Sequence, residues 1–274
     1  MISAKAKRKL IRALQVTVAI YCVTGIVLWQ LQESLIFHPT PLAADYQFWF
    51  EQPFREVLLP LDEKDRLSII QFKTPDTTHI RGIVLYFHGN RENINRYEKY
   101  APNFTKHGYE VWMIDYPGYG KTTGKKTEQR FYKDAALLYK MASVKISNDS
   151  IIIYGKSLGT GVASELAAQN ECKRLILETP YYSISSLGWY HFPIYPVERM
   201  CRYKFPVYVY LQETKATVTI LHGTKDQVIP YRHAKKLVNI LKPGDEFITI
   251  QGGQHNNLND FELFHQKLDS VLKQ

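Results

Sequence analysis

Cysteine is scarce in this chain: Cys22, Cys172 and Cys201 are the three. No Cys-x-x-Cys pair or other zinc spacing occurs, so neither a zinc module nor a disulfide-dense secreted scaffold fits. Acidic residues are missing from the beginning, where none precedes Glu33. Internal repeats and low-complexity tracts are missing too, which sets aside repeat architectures. The formal net charge is +9; Lys5, Lys7, Arg8, Lys9 and Arg12 supply five charges, and subtracting them leaves +4 for the rest. That remainder marks out no nucleic-acid surface, although a pI near 9.2 alone would suggest one. With 45% apolar and 22% charged residues, the 274 residues suffice for one large globular α/β domain with a full core.

One long uncharged run is present, residues 13–31. As a helix it is about 28 Å long, close to the roughly 30 Å hydrocarbon core of a bilayer. The basic arm before it, residues 1–12, is expected in the cytoplasm, so the rest lies on the periplasmic or lumenal side, with Trp29 marking the far interface. Three other readings compete. A cleaved signal peptide lacks a clean small-x-small site. A lipoprotein anchor at Cys22 fails because Tyr21 precedes it. A buried soluble helix is suggested by Gln15, Thr17, Thr24 and Gln30. The uncleaved signal anchor is preferred. Residues 32–54, aromatic and proline-punctuated, read as a linker packed on the domain and partly on the membrane surface. The catalytic unit is expected over residues 55–274.

That unit opens with a hairpin, strands at 57–59 and 67–72 around Asp62-Glu63-Lys64-Asp65. Strands then alternate with helices, which predicts a mostly parallel sheet covered on both faces. Strands are expected at 83–87, 111–114, 151–154, 174–177, 218–221 and 247–250, and helices at 91–106, 127–143, 231–241 and 258–272. Residues 181–206, aromatic and without period, interrupt the alternation where a lid would cover the site.

The centre of the pattern is Gly155-Lys156-Ser157-Leu158-Gly159 after the apolar run from Ile151. Gly-x-Ser-x-Gly between a buried strand and a helix is a nucleophile elbow. The serine sits in a strained turn, and side chains two residues away on either side would collide with it. The helix that follows aims free N–H groups at the site. A serine hydroxyl needs a base, and a histidine base needs a carboxylate to fix its tautomer. The chain order Ser157, Asp226, His255 suits this fold, and all three fall just past the carboxyl ends of predicted strands, where such sheets bind ligands. Glu178 is the rival carboxylate; Asp115 comes too early and more plausibly ties its glycine-rich loop. The oxyanion donors are expected to be the backbone N–H groups of Leu158 and Asn90. His88 reads as structural. Lys156 reads as facing the sheet edge or solvent, with a substrate-binding role as the alternative. Tyr181, Tyr182, Trp189, Tyr190, Phe192 and Tyr195 read equally as an acyl-pocket lid or as core packing. Cys172 and Cys201 are expected at opposite ends of the sheet, roughly 20 Å apart and so unbridged. Asn103-Phe-Thr105 and Asn148-Asp-Ser150 are glycosylation signals only along a eukaryotic secretory route.

His88-Gly-Asn90, Asp115-Tyr-Pro-Gly-Tyr-Gly120, the elbow, His222-Gly-Thr-Lys-Asp226 and Gly253-Gln-His255-Asn256 together resemble the α/β-hydrolase superfamily. Within it they resemble the Bem46-like membrane-anchored serine hydrolases. The resemblance runs from about residue 55 to the end. It implies an eight-stranded sheet with a small lid, a Ser157–His255–Asp226 triad, and no metal or organic cofactor. It also implies lipid hydrolases and protein-depalmitoylating thioesterases among similarly tethered members. The chain departs by lacking a cysteine-rich N-terminus, and by Ala216 and Thr217 where relatives often carry proline. The expected activity is hydrolysis of an ester or thioester, small-molecule or lipid and acyl-bearing, through an acyl-enzyme. The alternatives are a peptidase on the same fold and a non-catalytic membrane scaffold.

Overall fold

The computed structural model describes residues 3–273; Met1, Ile2 and Gln274, at the ends of the basic arm and the catalytic unit, lie outside the described residues. Helix α1, Ala4–Ile36, is capped by the Ser3 side chain. It runs through the basic arm, the apolar stretch and the first residues of the expected linker without a break. It is the one helix among the described residues long and apolar enough to cross a membrane, and none of its most apolar window is buried against the rest of the protein.

Eight strands form the main sheet: β1 Phe54–Pro60, β2 Arg66–Phe72, β3 Gly82–Phe87, β4 Tyr109–Ile114, β5 Ile151–Lys156, β6 Arg174–Glu178, β7 Thr217–Gly223 and β8 Glu246–Ile250. Their order is β1-β2-β4-β3-β5-β6-β7-β8. β2 pairs antiparallel with both neighbours, and every other pairing is parallel. Period-two alternation sorts the central strands onto two cores. Ile83, Leu85 and Phe87 enter one core; Val84 and Tyr86 enter the other. Helices α2, Glu128–Lys145, and α3, Gly159–Gln169, cover the first face, and the amphipathic helix α6 at the C-terminus, Glu262–Lys273, covers the second.

Three predicted helices are shorter than the sequence suggests. Residues 91–106 begin with Arg91–Glu92 as a strand beside His38–Pro39. They then break into Ile94–Tyr97, Glu98–Tyr100 and Pro102–Thr105. Asn93 caps the first turn, and Pro102 has no N–H with which to continue a helix. Residues 231–241 are a four-residue helix, Tyr231–Ala234, and a 3₁₀ segment, Lys235–Ile240. Residues 258–272 begin with a 3₁₀ turn, Leu258–Asp260, before α6 starts at Glu262. Residues 181–206 hold α4, Ile184–His191, and a short turn of helix, Val197–Met200, before α5, Val207–Glu213.

Residues of the expected linker pack back through aromatic rings. Phe48 stacks on Phe50, and Phe50 meets Phe54 and Phe72. Phe37, the residue after α1, is buried against Phe131 and Tyr203. The exit of α1 is therefore sewn into the main core. All three cysteines are free thiols.

The strand order reverses around β3. The connection after β3 leads to β4 on one side, and the connection after β4 crosses to β5 on the other. The crevice beyond the carboxyl ends of β3 and β5 is thus the topological switch point, where open α/β sheets hold ligands.

Candidate active site

The strand β5 ends in a turn held by close backbone packing. Ser157 has φ +52°, a left-handed conformation rare for a residue with a side chain. Its N–H is anchored to the Glu178 carbonyl at 2.9 Å. A Cβ on Gly155 would lie 2.6 Å from the Gly159 carbonyl oxygen, and one on Gly159 would lie 2.0 Å from that of Phe87. Glycine is required at both places because the start of α3 presses on β5 and on the end of β3. The same contact draws the loop after β3 over the serine: a Cβ on Gly89 would lie 3.6 Å from Ser157 Cβ.

Asp226 and His255 come from the loops after β7 and β8. These loops are also pressed together, since a Cβ on Gly223 would meet the Gly253 carbonyl oxygen at 2.2 Å. The Lys225 N–H donates to that carbonyl at 2.8 Å. The three side chains form one row. His255 Nε2 is 2.9 Å from Ser157 Oγ, and His255 Nδ1 is 2.8 Å from Asp226 Oδ2. Asp226 Oδ1 accepts the N–H groups of Val228 and Ile229 at 2.9 and 2.8 Å. With the carboxylate fixed, the proton on His255 belongs on Nδ1, leaving the Nε2 lone pair for the serine hydroxyl.

His222, quoted in the sequence motif but given no role, supports that carboxylate. It is fully buried, its Nε2 lies 2.9 Å from the Ile229 carbonyl oxygen and 3.5 Å from Asp226 Oδ2, and its Nδ1 has no hydrogen-bond partner among the described residues. Both neighbours of Nε2 are acceptors, so Nε2 carries the proton. Burial pushes the His222 pKa below its usual value, which keeps the ring neutral. Only the spacing His222-x-x-x-Asp226 hinted at this contact.

The rival carboxylates lie elsewhere. Glu178 is buried and takes the ammonium of Lys156 and the hydroxyl of Tyr154. Lys156 therefore does not face the sheet edge or solvent; it is buried, and across β5 and β6 it stands in register with Glu178. Asp115 accepts the Ile94 N–H at 3.0 Å and sits 3.3 Å from His88 Nε2, with both side chains fully buried. Gly120 packs on the Asp115 carboxylate, so this pair holds the loop after β4.

Asn90 and Leu158 flank Ser157 in one cavity of about 280 Å³. Among the described residues, neither backbone N–H donates to a backbone acceptor. The Asn90 residue is pinned on three sides. Its carbonyl accepts from the His38 N–H and the Tyr119 hydroxyl, and its side-chain amide donates to the Ile36 carbonyl. The cavity is lined by Tyr181, the α4 segment and the residues after it, and also by Leu28, Trp29, Leu35 and Ile36 of α1. Nothing in the sequence marks α1 as a cavity wall, because a lipid-facing helix and a pocket wall share the same apolar composition. Tyr181 and Tyr195 are buried, while Trp189, Tyr190 and Phe192 are exposed, so the aromatic segment divides between packing and an open lid surface.

The comparisons with known proteins agree with this architecture. A family model described as serine aminopeptidase, S33, matches residues 78–204. Alpha/beta hydrolase domain-containing protein 17C of Xenopus tropicalis is 30% identical over 196 residues, 70% of this chain and 60% of that protein. The chain thus spans less than two thirds of that relative's length. An uncharacterized protein of Mycobacterium tuberculosis is 27% identical over 252 residues, 90% of this chain and 89% of its own length. An esterase of Pyrococcus furiosus shares the fold with a TM-score of 0.65 at 15% identity, over 87% of this chain and 97% of that one. The chain has the α/β-hydrolase fold and is similar in sequence to proteins of that superfamily. An esterase is among its structural neighbours.

Proposed function

We propose that this protein is a membrane-anchored serine hydrolase of the Bem46-like kind that cleaves an acyl ester or thioester. The observation that carries the reading is the hydrogen-bonded row from Ser157 through His255 to Asp226, 2.9 and 2.8 Å long, opening into an apolar cavity. Ser157 Oγ attacks the acyl carbonyl as its proton passes to His255 Nε2, and Asp226 stabilises the imidazolium. The N–H groups of Asn90 and Leu158 receive the oxyanion, helped by the N-terminus of α3. Collapse breaks the bond to the alcohol or thiol, which leaves with the proton from His255. Water then gives a proton to His255 and attacks the acyl-enzyme; the acid departs and the proton returns to Ser157. No step calls for a cofactor.

In this reading residues 13–31 span the bilayer, residues 1–12 stay in the cytoplasm, residues 32–54 link and residues 55–274 form the catalytic domain on the opposite side from the basic arm, with the lid over 181–206. The single apolar helix beside a basic arm supports it.

The name of the matching family model favours one second reading, an aminopeptidase. A substrate α-ammonium needs a carboxylate to receive it, and among the described residues no Asp or Glu lines the cavity. That composition favours an acyl chain. The test is a series of acyl esters and thioesters of increasing chain length, run beside amino-acyl amides, with Ser157→Ala as control. Turnover of esters that rises with chain length and vanishes in the variant supports the proposal. Cleavage of amides without esters moves the assignment to a peptidase.

A further inference from the structure

None of the anchor's most apolar window is buried, yet its second half meets the lid. Tyr21 stacks on Tyr195 with ring centroids 4.7 Å apart and planes 8° from parallel. The Tyr21 hydroxyl donates to the Ile194 carbonyl at 3.0 Å, and the Tyr195 hydroxyl donates to the Tyr21 carbonyl at 3.2 Å. Gly25 makes the approach possible, since a Cβ there would lie 3.1 Å from the Tyr195 ring. Arg202, past the lid tip, lies over the Trp29 ring at 5.2 Å and donates to the Trp29 carbonyl at 3.0 Å.

These contacts set a depth. Trp29 with a guanidinium over it is what the headgroup boundary selects. Tyr21 is eight residues earlier on the same helix, about 12 Å further toward the bilayer centre at 1.5 Å per residue. The lid tip that clasps Tyr21 therefore sits at that depth as well. Its outward side chains suit that place: Trp189 and Ile194 are 57 and 70% exposed, large apolar groups that water would penalise. The cavity above Ser157 lies between the two elements, with Leu28, Leu35 and Ile36 on one wall and Leu187, Phe192 and Tyr195 on the other.

We propose that the lid is inserted in the same leaflet as the outer half of α1, and that the cavity mouth opens inside that leaflet. The substrate is then a bilayer-resident lipid ester whose acyl chain reaches Ser157 sideways, between α1 and the lid, without crossing water. The substrate half of this inference rests on the hydrolase reading above; the lid's depth does not.

The test uses the full chain in phosphatidylcholine vesicles. An environment-sensitive fluorophore is placed at Ile194→Cys in a Cys22→Ser, Cys172→Ala, Cys201→Ser background. Quenching by lipids brominated along the chain, with protection from aqueous iodide, is the expected result. Quenching by iodide and not by brominated lipid overturns the proposal. In parallel, Ile194→Glu is expected to slow hydrolysis of a vesicle-embedded long-chain ester by about tenfold or more relative to a water-soluble short ester. Equal rates on both substrates overturn lateral entry. Labelling by a fluorophosphonate is recorded for every preparation: unlabelled protein with a lipid-quenched probe refutes the hydrolase reading while leaving the inserted lid standing.

Discussion

The floor and the roof of the cavity are built by different physics. The floor is the rim of the sheet, where backbone presses on backbone at Gly155, Gly159 and Gly223 and leaves no room for a methyl group. Side chains there are held by buried polar contacts, Asp226 by two amides and His255, Glu178 by Lys156 and Tyr154. The roof is α1 and the lid, held by ring stacking and a few hydrogen bonds, with much of its apolar surface uncovered. A floor fixed this closely suits the positioning of reacting atoms. A roof joined to its neighbour only through contacts that involve a side chain suits the admission and release of a long chain. Substitutions in the floor should therefore abolish chemistry or folding, and substitutions in the roof should change which substrate is turned over.

The largest effect is expected for Ser157→Ala, which should lower kcat/KM by roughly 10⁴–10⁶-fold, leaving the residual catalysis of the oxyanion donors. Far-ultraviolet circular dichroism should be unchanged. Asp226→Asn should cost about 10⁴-fold in kcat, because an amide no longer holds the imidazole in the reactive tautomer. A pH–rate profile, with KM measured alongside, separates this from a loss of binding.

The buried Lys156–Glu178 pair tests the floor as a scaffold. Glu178→Gln leaves a buried ammonium without its counter-ion and should destabilise by about 3–5 kcal/mol in urea unfolding. A change within 0.5 kcal/mol, roughly the effect of an ordinary surface substitution, would show that water reaches Lys156.

At the base of the roof, His233 Nε2 lies 2.8 Å from the Ser186 hydroxyl, and burial pushes the His233 pKa down to about 4. The unfolded chain takes up this proton first, near its ordinary pKa. The stability that depends on a neutral His233 is thus complete above about pH 6.5 and is lost as pH falls toward 4. Its size is on the order of 3 kcal/mol. His233→Gln should flatten the fall of Tm across that window. The smallest effect is expected for Leu28→Trp, which narrows the cavity from the α1 side. It should cut kcat/KM for long-chain esters by about tenfold, roughly 1.4 kcal/mol, and shift the preferred chain length downward.

The floor was the legible part. Gly-x-Ser-x-Gly, the alternation of strands and helices, and the chain order of Ser157, Asp226 and His255 are short-range signals with steric or chemical causes, and they locate the strand ends. The two core faces follow from the same alternation. Lys156 was misread because its partner, Glu178, lies on the next strand and meets it only through the β5–β6 register. Residues 91–106 looked helical by composition, but the cap at Asn93 and the break at Pro102 divide them. The roof was illegible for a different reason. Hydropathy records that α1 avoids water and is silent on whether lipid or a substrate chain replaces it. The pairing of Tyr21 with Tyr195 joins residues 174 positions apart, with no local signal at either end.

The most direct measurement is fluorophosphonate labelling of the purified full-length chain, with the adduct mapped by mass spectrometry. A single adduct on the peptide carrying Ser157, absent in Ser157→Ala and strongly slowed in His255→Ala, is the predicted result. Folded native protein that takes no label, or label that persists in Ser157→Ala, would contradict a nucleophile at the end of β5.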